Sequence, residues 1–159
     1  MHYFIIALLF CFLPQSEQYK FVDTAKFTLA PSIELHLKAS VFDETKHVIE
    51  HCIVGPSSDP WKGICLIDGQ PVFGTDWEVP RTMLVQAYVM NGKTKIPLDI
   101  SCMYNPWFAS ADEKSFSAKA TEGGIVIDAH FSDGGRSYDA KWLIIQGKSI
   151  RLKLDHSEE

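Results

Sequence analysis

The feature that most constrains this chain is a hydrophobic period of two, mirrored again and again about turn-forming residues. Ile33, Leu35, Leu37, Ala39 and Val41 alternate with Glu34, His36, Lys38 and Ser40, the pattern of a strand with one face buried. If each later turn is taken as a hinge, apolar residues should fall opposite apolar residues. Asn91-Gly92 is the strongest hinge, because a two-residue hairpin loop with positive φ favours Asn-Gly. Folding there sets Val89 against Thr94, Ala87 against Ile96, Val85 against Leu98 and Met83 against Ile100. Glu122-Gly123 pairs Ala120/Ile125, Ala118/Ile127 and Phe116/Ala129 in the same way. A four-residue loop, Asp133 to Arg136, pairs Phe131/Tyr138, Ala129/Ala140, Ile127/Trp142 and Ile125/Ile144. A hinge at Gly147 returns Ile150, Leu152 and Leu154 along Ile144, Trp142 and Ala140. A turn around Glu44-Thr45 pairs Val41/Val48, Leu37/Cys52 and Leu35/Val54.

No long helical stripe competes with this pattern. The expected fold is therefore all-β, an antiparallel meander of about eight to ten strands. Such a sheet buries its apolar face by closing into a barrel or folding over as a sandwich.

The front of the chain reads differently. Phe4 to Leu13 is a run of ten apolar residues without a charge, followed by Pro14, Gln15 and Ser16. That is half the roughly 20 residues a membrane-spanning helix needs, so no stable membrane insertion is expected. It fits a secretory signal peptide over residues 1–16. The expected organisation is then an N-terminal extension over 17–32, one β domain over 33–154 and a polar tail over 155–159. The expected compartment is periplasmic or secreted. The three later cysteines, Cys52, Cys65 and Cys102, admit one bridge plus a buried thiol, or three buried thiols.

Charge narrows the partners. Fifteen basic against twenty acidic residues leave a net charge of −5, and no basic cluster provides a phosphate footprint, so nucleic acid is not an expected partner.

Few motifs carry chemistry. His47-Val48-Ile49-Glu50-His51 spells H-x-x-E-H, a zinc-peptidase string that works only on a helix, where both histidines converge on one metal. On a strand the two imidazoles stand about 13 Å apart, so no metal site and no cofactor is expected. The same register places Glu50 on the apolar face opposite Ala39, a position that perturbs a carboxylate. His130 faces Asp139 across the 133–136 hairpin, which is half of a catalytic triad or an ordinary cross-strand pair. No G-x-S-x-G nucleophile context and no glycine-rich phosphate loop is present. A small hydrolase using His130/Asp139 or Glu50 is the third-ranked reading, and a non-enzyme the first.

Tryptophan placement is more informative. Trp142 alternates with core residues on a strand, but the other three sit beside proline in loops: Trp61 in 55–63, Trp77 in 74–80 and Trp107 in 104–108. One account folds these rings over the open end of the β-structure as a plug. The other makes them a stiff aromatic surface, since proline reduces the entropy lost on contact and aromatic rings dominate binding hot spots. The second account assigns partner contact to Trp61, Trp77, Tyr104, Trp107 and Phe108. Asp59, Asp76 and Glu78, with Asp112 and Glu113 further along, give that rim an acidic character suited to a basic partner.

The leading expectation is thus an exported binding protein, with an inhibitor or immunity-type protein as its most concrete form and a protein or glycan as partner. The alternative is a carrier of a small apolar ligand, if the small residues Ala39, Ala87, Ala118, Ala120, Ala129 and Ala140 leave a cavity inside a barrel.

Overall fold

The computed structural model describes residues 24–107, 114–132 and 136–157. Residues 1–16, read as a signal peptide, together with Phe108, Asp112, Glu113 and the tip of the 133–136 loop lie outside them. Eleven strands follow in order: β1 Thr24–Ala30, β2 Ile33–Val41, β3 Ile49–Val54, β4 Trp61–Ile67, β5 Gln70–Pro71, β6 Thr82–Asn91, β7 Thr94–Pro97, β8 Phe116–Thr121, β9 Gly124–Phe131, β10 Tyr138–Ile145 and β11 Lys148–His156. The sheet begins before Ile33, because residues 24–30, read as part of an extension, pair with β2 along its length.

The strands form three antiparallel sheets, ordered β1-β2-β6-β7, β11-β10-β9-β8 and β3-β4-β5. The two four-stranded sheets face each other as a sandwich, with β1 against β8 at one flank and β7 against β11 at the other. One cluster fills the space between them. Leu35, Leu37, Leu84, Val89 and Ile96 come from one sheet, and Phe116, Ile127, Phe131, Tyr138, Trp142 and Ile144 from the other. Trp142 is fully buried, and its indole N–H donates to the Asp99 carbonyl at 2.9 Å, so its one polar atom is satisfied in the core. Of the small residues, Ala39, Ala87, Ala129 and Ala140 are buried in this filled core, whereas Ala118 is half-buried and Ala120 exposed.

Hairpins between neighbouring strands follow the expected register where the turn chemistry is local. Ala118 opposes Ile127 and Phe116 opposes Ala129. Phe131 opposes Tyr138 and Trp142 opposes Ile127. At the Asn91 hairpin the loop moves along by one residue. Asn91 pairs with Thr94 and Val89 with Ile96, leaving Gly92 and Lys93 as the loop. Gly92 carries the positive φ, 60°, at the first loop position, where a type II′ turn needs glycine. The shift moves each partner by two residues, so the buried face is unchanged.

Two further expected pairings are corrected. Between β10 and β11 the loop is Gln146-Gly147, both at positive φ, which sets Ile144 opposite Ser149 and Trp142 opposite Arg151. A bulge after Lys141 restores the phase, so that Leu154 meets Ala140 as expected. Ile150 and Leu152, upstream of that correction, point outward and are 54% exposed.

The hairpin across Glu44-Thr45 does not form. β2 is paired on both sides, by β1 and by the ten-residue β6, and has no free edge for β3. A 3₁₀ turn over Glu44–Lys46, capped by Asp43 accepting from the Thr45 backbone and hydroxyl at 3.2 and 2.6 Å, turns the chain away. β3 pairs with β4 instead, and a disulfide between Cys52 and Cys65 ties those two strands, with Cys102 free. Glu50 consequently opposes Leu66 on the third sheet and is exposed, not buried opposite Ala39.

Candidate functional site

The third sheet and two crossing loops carry the loop tryptophans. Trp61 opens β4 opposite Val54, at the foot of the 55–60 loop. Its ring lies against the backbone of Gly55, where any side chain would collide with it, and the residue as a whole is 48% exposed. The Cys52–Cys65 bridge, a few residues further along the same two strands, fixes the sheet on which the ring stands.

Trp77 reaches the same strand from the 72–81 loop. Its carbonyl accepts from the Ile64 backbone at 2.8 Å, and its Cβ occupies the space above Gly63. Gly63 and Trp61 are two apart on one strand and so share a face. Trp77 therefore packs beside the Trp61 end of β4. Its ring is covered by Arg136, whose guanidinium carbon sits 3.6 Å from the ring centroid, a cation–π contact. Arg136 in turn donates to His156 Nε2 at 3.3 Å. Accepting at Nε2 places the imidazole proton on Nδ1, which is buried without a partner among the described residues. Burial and then the Arg136 charge hold His156 below the ordinary histidine range.

Asn105, which the sequence did not single out, clamps the two ends of the Trp77 loop together. Its side-chain oxygen accepts from the Arg81 and Thr82 backbone at 2.9 and 3.1 Å. Its side-chain nitrogen donates to the Gly74 carbonyl at 2.8 Å, and its backbone N–H donates to the Thr82 carbonyl at 2.9 Å. Gly74 has φ of 85° and lies so close to the Tyr104 carbonyl that a Cβ has no room there. Two residues beyond the clamp, Trp107 is 42% exposed. Trp77 and Trp107 both hold positive φ, 64° and 32°, a region that bulky residues rarely adopt unless their surroundings enforce it.

The remaining expected contacts divide. Asp59, Asp76 and Glu78 are exposed. Tyr104 is not on the surface: it is 6% exposed and packs edge-on against Phe42 in a small core with Ile64 and Ile67. Burial, reinforced by Cys102 and Asp68, pushes its hydroxyl up to about 12. Tyr104 therefore supports the site from below. Phe108 lies outside the described residues.

The groups considered for catalysis take ordinary places. The H-x-x-E-H segment runs along β3, and His47 turns aside to stack on Phe42 and bond Asp68 at 2.6 Å. His130 Nδ1 meets Asp139 at 2.9 Å, and the Ser157 hydroxyl approaches the same nitrogen at 3.2 Å and the same carboxylate at 3.1 Å. Triad chemistry needs serine and aspartate on opposite ring nitrogens, whereas here both approach Nδ1 of one cross-strand histidine. Partial burial opposes ionisation of Asp139, but bonds from His130 and Ser157 and the nearby Lys153 outweigh it and lower its pKa. An open cleft of about 280 Å³ lies outside the sandwich core, lined by Pro71, Phe73, Cys102, Arg151 and Leu152 among others.

No protein-family model matches this sequence, no characterised protein matches it, and no solved structure matches its fold.

Proposed function

We propose that this chain is an exported, non-enzymatic binding protein that engages a macromolecular partner through the Trp61, Trp77 and Trp107 loops, in the manner of an inhibitor or immunity-type protein. The observation that carries this reading is the Asn105 clamp. It fixes the two ends of the loop that carries Trp77, and Trp77 and Trp107 both hold positive φ, while Trp61 and Trp107 keep nearly half their surface in solvent. Strain of this kind collects where geometry is selected for contact and not for stability. Rings fixed before binding lose little further entropy when a partner covers them. The exposed Asp59, Asp76 and Glu78 beside them favour a partner with a basic face. The Cys52–Cys65 bridge supports an oxidising compartment, and hence the export reading of the N-terminal apolar run.

The carrier alternative draws no support from a sandwich whose interior is occupied by Trp142, Tyr138, Phe131 and their neighbours. Capture by the protein immobilised through its C-terminus tests the proposal. The parent should retain a discrete macromolecule. A Trp61→Ala/Trp107→Ala variant, with circular dichroism unchanged, should lose it. Equal capture by both proteins would remove these loops from the binding surface.

A further inference from the structure

We infer that β3 is a self-association edge, along which two copies of this chain pair antiparallel about a two-fold axis through His51. This goes beyond the proposed partner site and stands independently of it.

The flanking strands of the sandwich each meet a strand of the facing sheet, β1 with β8 and β7 with β11. β3 has β4 on one side and, among the described residues, no strand on the other. Val48, just before β3, is 67% exposed and Ile53 within it 73%, one on each face of the strand, with Glu50, His51 and Cys52 exposed between them. Of the devices that usually blunt an exposed edge, β3 carries a single charge, Glu50, and no lysine, proline or bulge, the one bulge in this pair inserting Cys65 on β4.

The backbone polarity of β3 follows from its neighbours. Ile64, which opposes His51, donates its N–H to Trp77 on the far side of β4. At that pair the backbone groups therefore face away from each other, and His51 points its N–H and C=O outward. Alternation gives the same outward direction to Ile49 and Ile53. Asp68 donating to the Val48 carbonyl at 2.8 Å fixes the even-numbered residues toward β4.

A symmetric antiparallel pair must set outward residues opposite outward residues, which leaves three central registers. An axis at Glu50 opposes two like charges. An axis at Cys52 sets Ile49 against Gly55 and wastes its side chain. An axis at His51 sets Ile49 opposite Ile53 and Val48 opposite Val54, each twice, with Glu50 opposite Cys52. It is the register in which the strand is complementary to itself, as an isologous interface requires. A contact limited to one strand edge buries little area, so the expected dimer is weak and concentration-dependent.

Sedimentation equilibrium over a range of concentrations tests this. The parent should dimerise reversibly. Ile53→Lys, His51→Lys and His51→Glu, all at exposed positions, should each weaken the dimer by roughly tenfold or more while leaving the circular dichroism unchanged. An equimolar mixture of His51→Lys and His51→Glu should dimerise again, because in this register residue 51 of one copy meets residue 51 of the other. A parent that stays monomeric at all concentrations would overturn the inference. So would a dimer indifferent to these substitutions, or a mixture that fails to associate.

Discussion

Asn105 directs its side-chain hydrogen bonds at segments 23 to 31 residues away in sequence, and no local pattern announces that. Its neighbours Pro106 and Trp107 are visible as a loop signal, but the clamp exists only once β6 and the 72–81 loop have met. Replacing it removes the partners of one exposed and two partly buried backbone groups. Asn105→Ala should therefore lower stability by about 1–3 kcal/mol in urea unfolding and red-shift tryptophan emission as the Trp77 loop loosens. His156 offers a second test at this scale. Its folded pKa lies below its unfolded value, so as pH falls below about 6.5 the unfolded chain takes up the proton first. Stability should then decline through the window down to the folded pKa, and a His156→Gln variant should show a flatter profile in the same range. An unchanged slope in the variant would assign that pH dependence to other groups.

At the level of strands and hairpins, the sheet β11-β10-β9-β8 is made of sequence neighbours, and turns and alternation specify the register of β8, β9 and β10. The departures have local physical causes: glycine takes the first position of the Gly92-Lys93 loop, and the β11 bulge rephases a strand whose alternation began out of step. The placement of β3 was hidden for a different reason. The alternation of β2 fits β3 and β6 alike, and the longer β6 takes the edge. The sequence left the pairing of the three cysteines open, and the change of partner settles it by bringing Cys52 beside β4. Because the bridge closes a loop of 13 residues in sequence separation, a Cys52→Ser/Cys65→Ser variant should lose about 2–4 kcal/mol in urea unfolding. A loss near zero would mean that β3 and β4 are held by their ladder alone.

The whole molecule sets two filled four-stranded sheets beside a smaller disulfide-tied sheet, with the aromatic loops at the junction. Barrel and sandwich share the same alternation, and what decides for the sandwich is that the flanking neighbours β1 and β8, and β7 and β11, belong to separate sheets. A filled interior makes a further outcome specific: a fluorescent fatty acid should show no saturable uptake, and stoichiometric uptake would restore the carrier reading. The central claim is that the clamped tryptophan loops are the binding surface. It is tested most directly by hydrogen exchange on the protein alone and with its captured partner. The account expects new protection confined to residues 55–62, 74–82 and 105–107. Protection on the outer faces of the sandwich, with those three segments unchanged, would contradict it.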